Sequence, residues 1–281
     1  MTSSAALHEH TDRPALQLEP VMGAARAALR PPGPVRWVLD PRPDRVELRA
    51  VIRRWSTAVE LTARLARVAA GTALRAARLA VAVQGREPLV SHPEQPGVLA
   101  VLHAGGVVAP RPEELALHAM LRHATDSAPV RVGNLDRTAV LRLLRRAAET
   151  EGAWLRALPE SPAPSATLGP CWYDPDDVSW AEPASETFAA VIGAPGRPPA
   201  ADLRAGQAVE TVRLTARALG LDLQALAAPV ATTTPALTRR LGPTTDTLAI
   251  VQIGRLDQGE DRERDLSDIS GPIDLSARRA R

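Results

Sequence analysis

A helical segment with a glycine inside it occurs twice in this chain, and this duplication constrains the fold more than any other feature. Ala70–Leu79 and Ala205–Leu214 share Ala, Gly, Ala, Arg and Leu at their first, second, fourth, ninth and tenth positions. Glycine in a helix interior costs about 1 kcal/mol relative to alanine. Gly71 and Gly206 therefore indicate positions that another backbone or a ligand approaches closely, and we expect two central helices to meet there.

The later copy lies in a segment that is predicted to be one helix, Asp202–Gly220. Asp202 is predicted to cap its first turn, and Gly220 to adopt the left-handed conformation past its last turn. The apolar residues recur at helical spacing and form one stripe, which consists of Ala205, Val209, Val212, Ala216 and Leu219. The polar residues on the opposite side, which we predict to face solvent, are Glu210, Arg213 and Arg217.

The same order of elements surrounds both copies. In the first half, strands are predicted over Val35–Leu39 and Val46–Ala50, joined by a turn, and over Val98–Gly105 behind the helix. In the second half, strands over Phe188–Ile192 and Thr247–Gly254 precede and follow the helix. A proline-containing connector separates each helix from the strand behind it. A unit in two copies predicts an internal pseudo-dimer, because a solenoid needs three or more repeats; chance similarity in a chain rich in Ala, Arg and Leu is the alternative.

The remaining pattern continues the alternation of helices and strands. Helices are predicted over 19–29, 57–84, 113–123 and 138–151, and a further strand over 154–158. This alternation predicts an α+β or α/β class, with two small sheets flanking packed helices. We divide the chain into a disordered leader over 1–17, a first half over 18–110, a second half over 111–270 that contains a loop rich in Pro, Ser and Ala over 159–183, and a basic tail over 271–281.

The composition excludes several classes of function. All 34 basic residues are arginine, they are interspersed with 32 acidic residues, and the formal net charge is only +2, so we predict no nucleic-acid interface. Cys171 is the only cysteine, so no internal disulfide can form. The first 20 residues contain no apolar signal region, and no apolar run is long enough to cross a bilayer. We therefore expect a cytoplasmic protein without a membrane partner.

Several short segments resemble motifs of one family. Leu203–Ala208 is similar to the family's Arg-Ala-Gly-Gln/Glu-Ala helix start, and Ala70–Leu74 to its Cys-Gly-Ala-Ala-Leu helix start. Ala249–Gly254 is similar to a strand that ends in Ile-Gly, and Leu266–Asp268 to a terminal Leu-Ser-Glu. Trp37 lies where the family has a Pro-Trp hairpin. Together with the order of elements, these matches resemble the nitroreductase superfamily, specifically its Acg-like branch of flavin-associated proteins.

The resemblance implies a fold, a cofactor and partners. In that branch, two half-units lie in one chain and pack as an internal dimer. The resemblance therefore implies a nitroreductase-like α+β fold with two pseudo-symmetric halves on antiparallel central helices, and hence a monomer. It also implies that FMN takes hydride from a nicotinamide cofactor and passes it on, since in such proteins the cofactor carries the redox chemistry. The implied partners are a nicotinamide cofactor or another small planar ligand.

Six residues are candidates for FMN contacts by this resemblance: Arg36, Trp37, Arg122, Thr125, Arg204 and Arg264. Guanidinium groups and hydroxyls suit phosphate oxygens. The surrounding segments, however, depart from the family. In residues 30–37 the Asn and Gln that contact the flavin are gone, and prolines remove backbone donors. In residues 122–130 alanine and serine replace arginines of the family's phosphate clamp, and Asp126 adds a repulsive charge.

These departures predict a degenerate flavin site in a pseudoenzyme that is weakly active or non-catalytic. The first alternative is an active FMN-dependent oxidoreductase. The second is a non-catalytic protein that binds a flavin, another planar small molecule or a partner through the cleft that holds the flavin in the family, and the third is a purely structural or regulatory partner protein. No catalytic residue is assigned. We also predict no metal site, because Asp174, Asp176 and Asp177 lie in a loop that we expect to be solvated; a hard cation bound there is the alternative.

Overall fold

The computed structural model describes residues 16–28, 36–51, 59–122, 136–157, 188–227 and 249–255. The first half contains α1 (Leu18–Ala27), β1 (Arg36–Pro41), β2 (Arg45–Val51), α2 (Val59–Val83), β3 (Arg86–Ser91) and β4 (Val98–Val107), and α3 (Pro112–Arg122) follows it. Its strands form an antiparallel sheet in the order β1-β2-β4-β3. The hairpin that the sequence predicts at the start of this sheet is confirmed as β1 and β2.

The second half repeats this architecture. It contains α4 (Arg137–Glu149), β5 (Trp154–Ala157), β6 (Phe188–Gly193), α5 (Ala200–Ala218), β7 (Leu221–Ala227) and β8 (Ala249–Arg255). Its antiparallel sheet has the strand order β5-β6-β8-β7. Both halves therefore follow the order helix, two strands, helix, two strands. The predicted α+β class with small antiparallel sheets is confirmed, and the repeat extends further than the sequence motif did.

Two strands occupy segments for which the sequence predicts only connectors. β3 and β7 each follow a central helix, after glycines in the left-handed conformation, Gly85 at φ 72° and Gly220 at φ 74°. Both are edge strands with one paired neighbour. Pro88 lies inside β3, and proline is tolerated at an edge because it has no N–H to donate. The sequence of β3, REPLVS, carries little of the alternating apolar pattern from which strands are predicted, whereas that of β7, LDLQALA, does alternate over its first residues.

The central helices α2 and α5 meet at the two glycines of the repeat. A methyl group added to Gly71 would collide with the carbonyl oxygen of Leu203 and would lie 2.9 Å from the Cα of Gly206. A methyl group added to Gly206 would collide with the carbonyl oxygen of Val68. The close approach of backbones that the sequence predicts at both glycines is confirmed.

The two central helices run in the same direction. Arg67 contacts Asp202 and Arg75 contacts Thr211, over separations of 135 and 136 residues. The two glycines of the crossing are also 135 positions apart. Contact positions thus rise together along both helices, whereas antiparallel helices would show one rising while the other falls. The expected antiparallel arrangement is wrong, because a repeat shows which residues are equivalent but not how the two copies are oriented.

Each half has an apolar core between its sheet and its central helix. The first core is built from α1, α2, α3, β2 and β4, and the second from α4, α5, β5, β6, β7 and β8. Leu203 and Leu214 are exceptions, since they belong to α5 but lie in the first core. The halves therefore share apolar contacts as well as the helix crossing.

The polar residues of α5 differ from their prediction. Pro199 occupies the N-cap position, so Asp202 lies within the first turn as a fully buried side chain and does not cap the helix. The predicted apolar stripe does pack in the second core. Glu210 and Arg213, which the sequence places in solvent, are buried. The reason is that α5 packs against α2 as well as against α4 and its own sheet, which leaves it little solvated surface.

Contacts in the structure cross two of the predicted boundaries between segments. The boundary at residue 111 puts α3 in the second half, but Leu121 of α3 is buried in the first core. Leu16 packs against the first core, and the backbone N–H of Gln17 donates to Gln84 Oε1 at 2.9 Å. The last two residues of the predicted leader thus contact the folded chain. The rest of that leader, the loop over 159–183 and the basic tail lie outside the described residues.

Candidate functional site

The six residues predicted to contact a flavin do not form one described site. Trp37 lies in β1 and is partly buried against the first core. Arg204 lies in the first turns of α5. Arg36 begins β1 and Arg122 ends α3, and the structure describes only their backbone positions. Two others lie outside the described residues, namely Thr125 and Arg264.

The guanidinium group of Arg204 is engaged within the second half. Its Nη1 donates to the carbonyl oxygen of Pro195 at 2.9 Å, in the turn that precedes α5. A methyl group added to Gly152, in the turn after α4, would lie 3.2 Å from the Cδ of Arg204. Arg204 therefore joins two turns of its own half, whereas Trp37 packs in the other half. The two candidates with described side chains thus make their described contacts in different halves.

A different group of polar side chains lies between α2 and α5. The carboxylate of Asp202 is fully buried and accepts from Arg67 Nε at 2.7 Å and from Arg64 Nε at 3.4 Å. Both arginines project from α2, and their side chains are largely buried. Two guanidinium groups thus meet one carboxylate at this end of the junction, in surroundings where each charge needs its partner.

A second cluster is centred on Glu151, in the turn after α4. Its Oε1 lies 2.9 Å from Arg75 Nε and its Oε2 lies 2.8 Å from Arg78 Nη1, while its side chain is only 6% exposed. Arg75 Nε also donates to the Thr211 hydroxyl at 2.8 Å, and that hydroxyl donates to Glu151 Oε1 at 3.2 Å. Arg78 Nη1 further donates to Gln207 Oε1 at 2.6 Å. The second half therefore holds Arg75 and Arg78 of α2 through four oxygen atoms.

The charges around this cluster act on one another. Burial lowers the pKa of the Arg75 guanidinium, and the neighbouring carboxylates of Glu151 and Glu114 act in the opposite direction. Glu114 accepts from Arg111 Nη2 at 2.7 Å. Partial burial works to raise the pKa of Glu114, but the hydrogen bonds from Arg111 outweigh it and the pKa is lowered. The series of charges thus runs from the buried junction to the start of α3.

A third buried pair fastens α5 to α1. Arg213 Nε donates to Glu210 Oε2 at 3.0 Å, one helical turn away on the same helix. Arg213 Nη2 also lies 3.5 Å from the carbonyl oxygen of Ala27, the last residue of α1. An unpaired carbonyl at a helix end is a good acceptor for a cationic donor. The second half therefore also contacts the first half through the end of α1.

One charged cluster lies on the face of the first sheet that points away from the core. Val46 and Leu48 are buried in the core, so Glu47 between them faces the other way. Glu47 accepts two hydrogen bonds from arginines of its own strand. Arg49 Nη2 donates to its Oε2 at 2.7 Å, and Arg45 Nε donates to its Oε1 at 3.2 Å. The hydrogen bond from Arg49, assisted by the one from Arg45, lowers the pKa of the Glu47 carboxyl. The guanidinium groups cover Glu47, which is why it is buried on an outer face.

Among the described residues, no three His, Cys, Asp or Glu side chains are close enough to hold a metal ion. The acidic loop over 174–177 lies outside those residues. At the α2–α5 junction the four described guanidinium groups of α2 share two carboxylates, and Arg64 Nη2 and Arg78 Nε are buried without a hydrogen-bond partner in the described ranges. What this arrangement does physically is to fix the register of the two halves.

Sequence periodicity alone missed these polar contacts. The register of the repeat contains a signal for one of them, because it places Arg67 opposite Asp202, at equivalent positions with opposite charges. Glu151 carries no such signal, since it lies in a turn outside the repeated segment. Its role follows only from the way α4 packs on α5.

No protein-family model matches this chain, and no curated protein matches it. In the described ranges, none of the helices combines the length and the apolar composition that a bilayer crossing requires. The function of the chain therefore has to be inferred from its own residues and geometry.

Proposed function

We propose that this chain is a nitroreductase-like protein whose flavin site has degenerated, so that it is weakly active or inactive as an FMN-dependent NAD(P)H oxidoreductase. The short motifs that resemble the Acg-like branch support the family. The two halves of equal topology support it too, since that branch packs two half-units in one chain. The proposed role of the protein is that of a two-half scaffold that has kept the fold and lost most of its hold on the cofactor.

The observation that carries the loss of function is the position of Arg204. Arg204 is the candidate cation whose side chain the structure describes, and its guanidinium binds the Pro195 carbonyl oxygen. Trp37 packs in the other half. A charge-assisted hydrogen bond contributes about 1.5–3 kcal/mol, so each cation withdrawn from a phosphate weakens binding roughly tenfold or more. Together with the departures of residues 30–37 and 122–130 from the family's segments, this supports a poor fit to FMN, and we derive no catalytic step that uses it.

The absorbance spectrum of the purified full chain tests this proposal. We expect no stoichiometric flavin chromophore, and only weak quenching of FMN fluorescence when the cofactor is titrated against the protein. We also expect NADH and NADPH oxidation to stay close to the rate of free FMN. A yellow protein with one flavin per chain would contradict the proposal and would favour the active oxidoreductase.

A matched pair of variants sharpens the titration. Arg122→Gln removes the cation at the end of α3 that the resemblance assigns to the phosphate, and Arg111→Gln removes one at the start of the same helix. If residual FMN binding uses the inherited site, Arg122→Gln should weaken it several-fold while Arg111→Gln leaves it unchanged. Equal effects of both variants would mean that the residual binding is a general attraction to arginine, and the second alternative, a different ligand or partner, would then be favoured.

A further inference from the structure

The central helices of the two halves carry different charges at the surface where they meet. The contacts of α2 with the second half that were described above come from four arginines: Arg64, Arg67, Arg75 and Arg78. The groups that receive them from the second half are two carboxylates, one amide and one hydroxyl: Asp202, Glu151, Gln207 and Thr211. In these contacts, one half supplies the donors and the other supplies the acceptors.

The register of the repeat makes this difference informative. Arg67 and Asp202 are separated by 135 residues, the same offset that relates Gly71 to Gly206. They are therefore equivalent positions in the two halves, and they contact each other at 2.7 Å. If two copies of the first half paired through this surface, Arg67 would meet its own copy beside two further Arg64 side chains. Two copies of the second half would bury two Asp202 carboxylates against each other.

Like charges in a buried interface are strongly unfavourable. The desolvation cost of each ion is recovered only when a partner of opposite charge and good geometry is present. Charge placement can accordingly reject a wrong partner as well as favour the right one. The glycine crossing cannot do this by itself, because Gly71 and Gly206 are alike and would fit either combination.

We propose that the arginine surface of α2 and the acidic surface of the second half form a charge code that selects pairing between unlike halves and rejects pairing between like halves. The shared glycine crossing provides close contact, and the Arg67–Asp202 pair provides the choice of partner. The first half is thus specific for an acceptor-rich partner surface, which its own chain supplies. This inference concerns the pairing surface and does not depend on flavin binding.

A matched substitution in the full chain separates a charge code from simple packing. Arg67→Glu and Arg67→Gln introduce side chains of the same shape, but only the glutamate variant places a second carboxylate against Asp202. We expect Arg67→Glu to melt lower than Arg67→Gln by about 5 °C or more, from the cost of an uncompensated buried charge and the usual relation between stability and Tm. Arg64 remains near both carboxylates and moderates this difference without removing it. Equal melting temperatures would overturn the proposal.

Charge reversal supplies the second arm. Arg67→Glu combined with Asp202→Arg restores opposite charges in the reverse order, and we expect this double variant to melt above Arg67→Glu. Light scattering should show a monomer for the wild-type chain and for this double variant. A double variant whose loss equals the sum of its two single variants would contradict a code based on complementarity.

A neutral set keeps the test decisive if a charged variant does not fold. Arg67→Gln combined with Asp202→Asn leaves neither charge, so it should melt above Asp202→Asn, in which two guanidinium groups lose their carboxylate. An unfolded Arg67→Glu beside a folded Arg67→Gln supports the proposal. If neither single variant folds, a folded neutral double variant supports it, and an unfolded one overturns it.

Discussion

The two halves share their topology and their helix crossing, but they differ in what their central helices bury. On α2 the polar side chains at the junction are arginines, and on α5 the facing side chains include a carboxylate, an amide and a hydroxyl. Their outer sheet faces differ as well. β2 carries Glu47 under a cover of arginines, whereas β6 has the uncharged sequence FAAVIG. The comparison teaches that the two halves are alike in their backbone contact and differ in the charges that they present.

The glycine crossing is the part of the comparison in which both halves should behave alike. We expect Gly71→Leu and Gly206→Leu each to lower the free energy of unfolding by about 5 kcal/mol. This exceeds the usual 1–3 kcal/mol for overpacking, because the collision is with backbone on the facing helix. Urea denaturation followed by circular dichroism measures it.

Gly23 supplies the control for that experiment. It lies inside α1 with no atom within 4 Å of an added methyl group, so Gly23→Leu should leave stability unchanged or raise it slightly, since leucine is the better helix former. A strong effect at one central glycine and none at the other would break the equivalence of the two halves at the crossing.

Glu151 tests the part in which the halves differ. Glu151→Gln keeps the shape of the side chain but removes the charge that compensates Arg75 and Arg78, so we expect a loss of about 3 kcal/mol in the free energy of unfolding. Glu19→Gln is the control, because the Glu19–Arg26 pair is exposed and such pairs contribute about 0–1 kcal/mol. Similar denaturation curves for the two variants would show that the buried cluster adds no specificity to the junction.

The smallest effect is expected at the outer face of the first sheet, which has no charged counterpart in β6. The pKa of Glu47 is lowered below its ordinary value of 4.5, chiefly by Arg49. Its contribution to stability is therefore complete above the pKa of the unfolded chain and is lost as pH falls through the lowered pKa of the folded chain. Thermal unfolding between pH 6 and roughly pH 3 should show a shallower decline for Glu47→Gln than for the wild type. Identical declines would assign the acid sensitivity to other groups.

Sequence patterns predicted the parts of the fold that depend on apolar periodicity and on glycine. The helices, the first hairpin, the left-handed Gly220, and the close approach at the paired glycines are all confirmed. β3 was missed because an edge strand with a proline has no clear alternation. The burial of Glu210 was missed because amphipathic reasoning assumes one solvated side, and a helix packed against several neighbours does not have one.

The candidate site was less predictable than the fold. A resemblance to family motifs predicts which positions contact a ligand in the family, but not whether the tertiary packing of this chain leaves those residues available. Arg204 illustrates this, since its helix position matches the motif while its guanidinium binds the neighbouring Pro195 carbonyl. The roles of Arg36, Arg122, Thr125 and Arg264 stay predictions. Orientation between repeats was equally hidden, because equivalent positions are the same for parallel and antiparallel helices.

The two leucines that α5 places in the first core have a consequence for how the molecule loses its structure. Leu203 and Leu214 are nearly fully buried among side chains of the other half. If the second half unfolded alone, both would leave, and the first core would be opened along α2. The apolar surface exposed in this way would lower the free energy of unfolding of the first half. The two halves are therefore coupled energetically, and we expect the chain to unfold as one cooperative unit rather than as two independent domains.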